Sequence, residues 1–325
     1  MKVLVVGYGS MGRRRIRLLS SIVKNPTFLC VDNNPERVNE IEKAGLKAFK
    51  SLTDAINEKP DLAFVCTSPG HHAEIISQLV LHKVPVFTEL NLVSDKYDEI
   101  LREANENNVV VFMSSTMLYN RQIQNIDRIV KTSEKPVTYI YHIGQYLQDW
   151  HPWESYKNFF IGRKETNGVR EIYAIQLPWI INSFGKIDSV QSNRQRCTGL
   201  DIEFNDAIVA NLHHVNGNIG VFVADTVSRK ATTYLEVISE NFHLTWHGHN
   251  DDLNVYDPVS KETKNVTAYE NAEHQEGYAD NIIENQYVDE IRDFLNAVYN
   301  HTEPKYSLEK DAYTLSVIDQ IEGRA

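Results

Sequence analysis

The chain has 325 residues, enough for two domains of ordinary size, and its 42% apolar and 24% charged residues are a globular balance. A formal net charge of −11 argues against nucleic acid or an anionic membrane surface as partner. Apolar runs stay below the ~18 residues of a membrane span, and Cys30, Cys66 and Cys197 show no disulfide or zinc spacing, so the reading is a cytoplasmic protein.

The first ~115 residues alternate short apolar runs with helical patterns. The runs are "KVLVVG" (2–7), "TFLCVD" (27–32), "LAFVCTS" (62–68), "VPVFTE" (84–89) and "VVVFMS" (109–114). Apolar throughout, they read as strands buried on both faces. Helical patterns lie at 11–23, 35–44, 52–57, 71–82 and 95–107. This alternation predicts an α/β fold with a doubly wound parallel sheet. A helix is expected at 121–132. Alternating stretches follow at 137–147, 188–197, 206–215, 218–228, 232–240 and 242–248, predicting a mostly antiparallel sheet with one exposed face. Helices close the chain at 285–299 and 307–322. The domain break is placed near 115–120. That gives domains 1–118 and 119–325, with the closing helices in the second.

"VLVVGYGSMGRRRIRLL" reads strand, Gly7-x-Gly9-x-x-Gly12, helix. Gly7 permits a tight turn, Gly9 leaves room for a pyrophosphate, and Gly12 lets helix and strand pack closely. N–H groups at the helix start, from Ser10 and Met11 onward, would hold phosphates. Asp32 ends the second strand at the spacing of a ribose-binding acid, with Asn33 beside it. An acid there repels a 2′-phosphate, so NAD is expected over NADP. Arg13, Arg14 and Arg15 follow the glycines and are read either as pyrophosphate neighbours or as a solvated basic face.

With these motifs in view, the chain resembles the glucose–fructose oxidoreductase / inositol dehydrogenase / rhizopine catabolism (Gfo/Idh/MocA) family. "VCTSPGHHAEII" (65–76) is similar to the family's third-strand exit. There Thr67, Ser68 and Pro69 would line the cofactor, with His72 near its nicotinamide half. Glu89 would border the same site. "MLYNRQIQNIDRIV" (117–130) resembles the segment that opens the second domain, and 287–319 resembles the closing helices. The resemblance implies a Rossmann domain followed by an α/β domain with a large open antiparallel sheet, and a homo-oligomer formed through that sheet. "GQYLQDWHPWESYKNFFIGRKETNGVRE" (144–171) resembles members associated with bacterial surface sugars. Tyr119, Trp150, His151, Trp153 and Tyr156 are the candidate carbohydrate contacts, since aromatic faces cover sugar C–H surfaces. A cluster that glues a loop to the sheet is the alternative.

Two elements depart from the family. Its Glu-Lys-Pro carries a catalytic lysine where this chain reads Glu89-Leu90-Asn91. Its Asp and His on the next helix fall here on Ile172 or Glu171, and on Ile175 or Gln176. Glu171 is the leading substitute base, because a carboxylate against apolar neighbours has a raised pKa. Gln176, Lys164, His151, Tyr119 and Tyr173 are weaker candidates. Pro178 should kink this helix. His247 and His249 share a strand face but lack a third ligand, so no metal is expected. Three function classes stay open: an NAD-dependent oxidoreductase on a sugar, sugar phosphate or nucleotide sugar; a catalytically silent NAD-binding sensor or scaffold; and an NAD-retaining lyase or glycosidase.

Overall fold

The computed structural model describes residues 1–150, 154–270, 272–274 and 283–324. They divide into two units, 1–115 with 287–312, and 116–286 with 313–325.

The first unit is built on six parallel strands: β1 (Lys2–Val6), β2 (Thr27–Val31), β3 (Lys47–Phe49), β4 (Leu62–Val65), β5 (Val86–Thr88) and β6 (Val111–Met113). Their order is β3-β2-β1-β4-β5-β6, which places the topological switch point between β1 and β4. Val3, Leu4, Val5 and the whole of Leu62–Val65 are fully buried, as strands covered on both faces require. Helices α1 (Ser10–Ile22), α2 (Pro35–Lys43), α3 (Leu52–Asn57), α4 (His72–Leu81) and α5 (Tyr97–Asn107) connect them. The Asn34 side chain caps α2 ahead of Pro35, and Ser51 caps α3.

The closing helices were expected in the second domain, but α8 (Glu284–Asn300) joins the first unit from residue 287 onward. The reason is packing. Phe64, Phe87 and Phe112 stack across β4, β5 and β6, and Phe294 of α8 meets all three edge-on at 5.4–5.6 Å. Glu290 pairs with buried Arg15 on α1.

The second unit holds α6 (Arg121–Val130), α7 (Gly168–Phe184) and an eight-stranded sheet. Its strands are β7 (Thr138–Gly144), β8 (Ile187–Gln195), β9 (Ala207–His214), β10 (Ile219–Asp225), β11 (Thr232–Ile238), β12 (His243–Trp246), β13 (Leu253–Asp257) and β14 (Glu262–Val266). Their order is β14-β13-β12-β11-β7-β10-β9-β8, antiparallel except where β7 pairs with β10. Tyr141 and Phe222 on the covered face meet Trp179 and Tyr173 of α7. Gly220 is obligatory there, since a Cβ would lie 2.0 Å from the Tyr139 ring. The other face leaves Ile140, Val209, Ile219 and Ile238 exposed. The last helix, α9 (Leu308–Glu322), is divided between the units at residue 312. No described helix is long and apolar enough to cross a membrane.

Candidate active site

The carboxyl ends of β1, β2 and β4 carry the dinucleotide motifs. Gly7 has φ +96°, and a Cβ on it would lie 2.7 Å from the Cys66 carbonyl. A Cβ on Gly12 would lie 2.0 Å from the Gly7 carbonyl. Both glycines are demanded by the protein's own packing. Gly9 is different: a Cβ there meets only Arg37 Nη1, at 3.9 Å. The space over Gly9 is therefore open, at the start of a helix with neither a side-chain cap nor an acid in its first turn. Such a helix start favours an anion. Ser10 is exposed and Met11 half-buried beside it.

Asp32 is held by backbone donors. The Tyr8 N–H donates to its Oδ2 at 2.8 Å and the Asn34 N–H to its Oδ1 at 2.9 Å. A carboxylate retains further lone pairs, so ribose hydroxyls can still donate to it. Asn33 is exposed next to it. Arg37, on the first turn of α2, stands 3.6 Å from Asp32 and was missed in the sequence. Its signal was only a basic residue five positions after the acid.

Thr67 lies against the glycine turn, and its Oγ1 is buried without a hydrogen-bond partner. Ser68 is exposed and Pro69 buried. An open cradle over Gly9, an anchored acid and an orphaned hydroxyl fit a dinucleotide laid across the switch point. Gly9, Ser10 and Met11 would face its phosphates, and Asp32 its ribose.

Several expectations need correction. His72 does not present a nitrogen to a ligand. It is buried, Nε2 donates to the Thr67 carbonyl at 2.8 Å, and Nδ1 meets Asn91 Oδ1 and Thr88 Oγ1. Burial lowers its pKa. Glu89 is bound to Arg15 through two bonds, Nε to Oε1 at 2.6 Å and Nη2 to Oε2 at 3.1 Å. Arg15 is wholly buried and Arg14 nearly so, its guanidinium 4.5 Å from the Tyr287 ring centre. Only Arg13 of the three is solvated, pairing with Glu40 at 3.3 Å. With Glu89 and Asn91 turned inward, Leu90 is the partly exposed side chain of the Glu-Leu-Asn turn.

In the second unit, Glu171 sits in the first turn of α7, behind the Asn167 cap. It shares a helix face with Ile175, four residues on, and both are partly exposed while Ile172, Tyr173, Ala174 and Gln176 are buried. Glu171 Oε2 is nevertheless shut off from solvent and has no hydrogen-bond partner. Burial pushes its carboxyl up to about 8. The helix runs on through Pro178 to Phe184.

Of the weaker catalytic candidates, Gln176 and Tyr173 are engaged in the packing of the second unit. Gln176 Oε1 accepts from Tyr141 at 2.9 Å and from the Trp179 indole at 2.7 Å, a structural role. Lys164 is exposed on the approach to α7. Tyr173 is fully buried, its hydroxyl against the Ile208 and Phe222 carbonyls. The carbohydrate wall is also thinner than expected. Tyr119 is 2% exposed. Tyr156 belongs to a buried cluster with Tyr146, Leu147, Ile161, Leu200, Ile202 and Phe204. Trp150 packs on that cluster, and its Nε1 donates to the Gln145 carbonyl at 3.0 Å. His151 and Trp153 lie outside the described residues. Among the described residues no three His, Cys, Asp or Glu side chains form a metal set.

Comparison with known proteins agrees with this geometry. No curated protein sequence matches the chain. By fold it is similar to an oxidoreductase from Agrobacterium radiobacter in complex with NAD+, L-tartaric acid and magnesium: TM-score 0.84, 12% identity, 98% of this chain and 94% of that one covered. It is also similar to the WlbA dehydrogenase from Bordetella pertussis in complex with NADH and UDP-GlcNAcA, at TM-score 0.77, 14% identity and 99% and 95% coverage. A third is the UDP-N-acetylglucosamine 3-dehydrogenase GnnA from Acidithiobacillus ferrooxidans, at TM-score 0.76, 16% identity and 99% and 97% coverage. At these identities the likeness is one of fold. The family model of the Gfo/Idh/MocA oxidoreductases, with an NAD-binding Rossmann fold, matches residues 1–115. That match covers the domain whose glycine loop and Asp32 have just been described.

Proposed function

We propose that the protein is an NAD-dependent oxidoreductase acting on a sugar, sugar phosphate or nucleotide-linked sugar, with Glu171 as the proton acceptor. Bound NAD supplies a hydride acceptor. The chain must then supply a site for the hydroxyl proton, and neither Leu90 nor Ile175 can. The observation that carries the reading is the Glu171 carboxyl, with Oε2 unpartnered and its pKa raised to about 8 by burial. A general acid–base group is most effective when its pKa lies near the working pH. Alcohol oxidation needs the carboxylate and should quicken as pH rises through about 8, while carbonyl reduction uses the acid and should slow. The choice of substrate class is supported by two fold relatives, one named for UDP-N-acetylglucosamine and one solved with UDP-GlcNAcA.

The exposed apolar face with Ile140, Val209, Ile219 and Ile238 suits a second copy of the chain. Ile140→Glu should lower the mass found by sedimentation velocity, and an unchanged mass would reject that interface. Three free cysteines fit a reducing cytoplasm. A second reading, a silent NAD sensor, is favoured by one observation: at neutral pH a carboxyl with a pKa of about 8 is mostly protonated. NADH formation measured over a panel of sugars, sugar phosphates and nucleotide sugars separates the two. Turnover supports the enzyme, and tight NADH binding without turnover supports the sensor.

A further inference from the structure

Behind the Thr67–Pro69 turn, within the first unit, buried polar groups form a chain. His72 Nε2 lies 2.8 Å from the Thr67 carbonyl. His72 Nδ1 meets Asn91 Oδ1, and Asn91 Nδ2 is 2.7 Å from the Tyr97 hydroxyl. The Tyr97 hydroxyl meets Asp311 Oδ2, and Tyr306 donates to Asp311 Oδ1 at 3.0 Å. None of the four linking residues, His72, Asn91, Tyr97 and Asp311, is more than 5% exposed.

The donors and acceptors along this chain can be counted. A carbonyl only accepts, so His72 Nε2 must carry a proton. Suppose Nδ1 is bare. Asn91 must then turn its NH2 toward Nδ1 and its oxygen toward Tyr97. Tyr97 must donate to that oxygen, so the Tyr97 oxygen has to accept from a protonated Asp311. Suppose instead that Asp311 is a carboxylate. Tyr97 donates to it, Asn91 donates to Tyr97, the Asn91 oxygen faces Nδ1, and His72 must be an imidazolium. A neutral His72 together with an ionised Asp311 leaves two acceptors facing each other, which costs an unmade buried bond.

We propose that His72 and Asp311 share one proton through Asn91 and Tyr97, and that Asp311 is thereby a positioning residue for the Thr67 turn. Both arrangements keep the His72–Thr67 bond, so the turn is held in the same way in each. Other polar groups around His72 are Thr88 Oγ1, which also donates to the Glu89 carbonyl, the Glu89 carboxylate and His71. Burial lowers the His72 pKa, which favours the arrangement with the proton on Asp311.

The positioning role rests on the Thr67 turn being a cofactor contact; the shared proton does not. In an unfolded chain both groups have released their protons above pH ~6.5. The folded chain keeps one. The wild-type folding constant should therefore fall about tenfold per pH unit above ~6.5, relative to Asp311→Asn. The asparagine offers Tyr97 an N–H without an added proton. Parallel pH curves for the two proteins would overturn the shared proton. Nitrogen-15 NMR of His72 in the wild type needs no variant. It should show an Nε2–H ring or an imidazolium, and a neutral ring protonated at Nδ1 would overturn the proposal. For positioning, Asp311→Ala should weaken NADH binding several-fold and Asp311→Asn should restore it. Equal affinity in both variants and wild type would remove the positioning role. A wild type that does not bind NADH would fail the cofactor reading, with the pH curves still deciding the shared proton.

Discussion

Glu89→Ala tests whether Glu89 anchors the Rossmann core or contacts the cofactor. Arg15 is completely buried and held by Glu89 at 2.6 and 3.1 Å and by Glu290 at 2.8 Å. Burial opposes its charge, but the two carboxylates more than offset this and keep it protonated. Burial raises the Glu290 carboxyl, with Arg15 pulling against it, so Glu290 is a poor sole partner. Removing one member of a buried pair costs about 3–5 kcal/mol, because the other charge is stranded. With Glu290 remaining, the lower end applies, about 3 kcal/mol, a large share of a typical 5–15 kcal/mol stability. Urea unfolding followed by circular dichroism is the suitable assay, because all four tryptophans fall between residues 150 and 246, outside the first unit. A cost below about 0.5 kcal/mol, the range of ordinary surface changes, together with lost NADH affinity, would refute the anchor and return Glu89 to the cofactor.

Gly9→Val should abolish NADH binding and leave the urea midpoint unchanged, since nothing but Arg37 lies near the new Cβ; retained NADH fluorescence enhancement would exclude the loop from the site. Asp32→Ala should weaken NADH more than NADPH in calorimetric titration. Arg37→Ala should do the reverse, because Arg37 stands beside the acid that would repel a 2′-phosphate. Glu171 has a folded-state pKa of about 8, raised above its unfolded value near 4.5, so its contribution is greatest at low pH and declines as pH rises toward 8. That decline is about 1.4 kcal/mol per pH unit. Glu171→Gln should therefore gain on the order of 2–3 kcal/mol over the wild type between pH 5 and pH 7, and parallel stability curves would show that the carboxyl is not buried as described.

Much of the fold was legible because buried strands are apolar on both faces and helices show their period. "KVLVVG" and "LAFVCTS" could hardly be anything else. The three-residue β3 and the polar hairpin of β13 and β14 offered no such contrast and were missed. Nothing local says which core Phe294 enters, so α8 was assigned to the wrong unit. Glycine roles were readable because they depend on backbone shape over six residues. Roles set by distant partners were not. Arg15 looks like a solvated helix residue until Glu89 and Glu290, 74 and 275 positions away, are brought to it. His72 looks like a ligand until Asn91 and Thr67 use both its nitrogens. Glu171 was singled out by elimination, and the desolvation that raises its pKa is a property of the folded surroundings.

The central claim is that Glu171 receives the hydroxyl proton, and the most direct test is the pH–rate profile of NADH formation for wild type and Glu171→Gln on the best substrate of the panel. The wild-type rate should rise through an apparent pKa of about 8. The variant should bind NADH normally, lose that inflection, and turn over about 10²–10⁴-fold more slowly, the usual worth of a general base. Undiminished turnover in the variant, with the same inflection, would contradict the assignment.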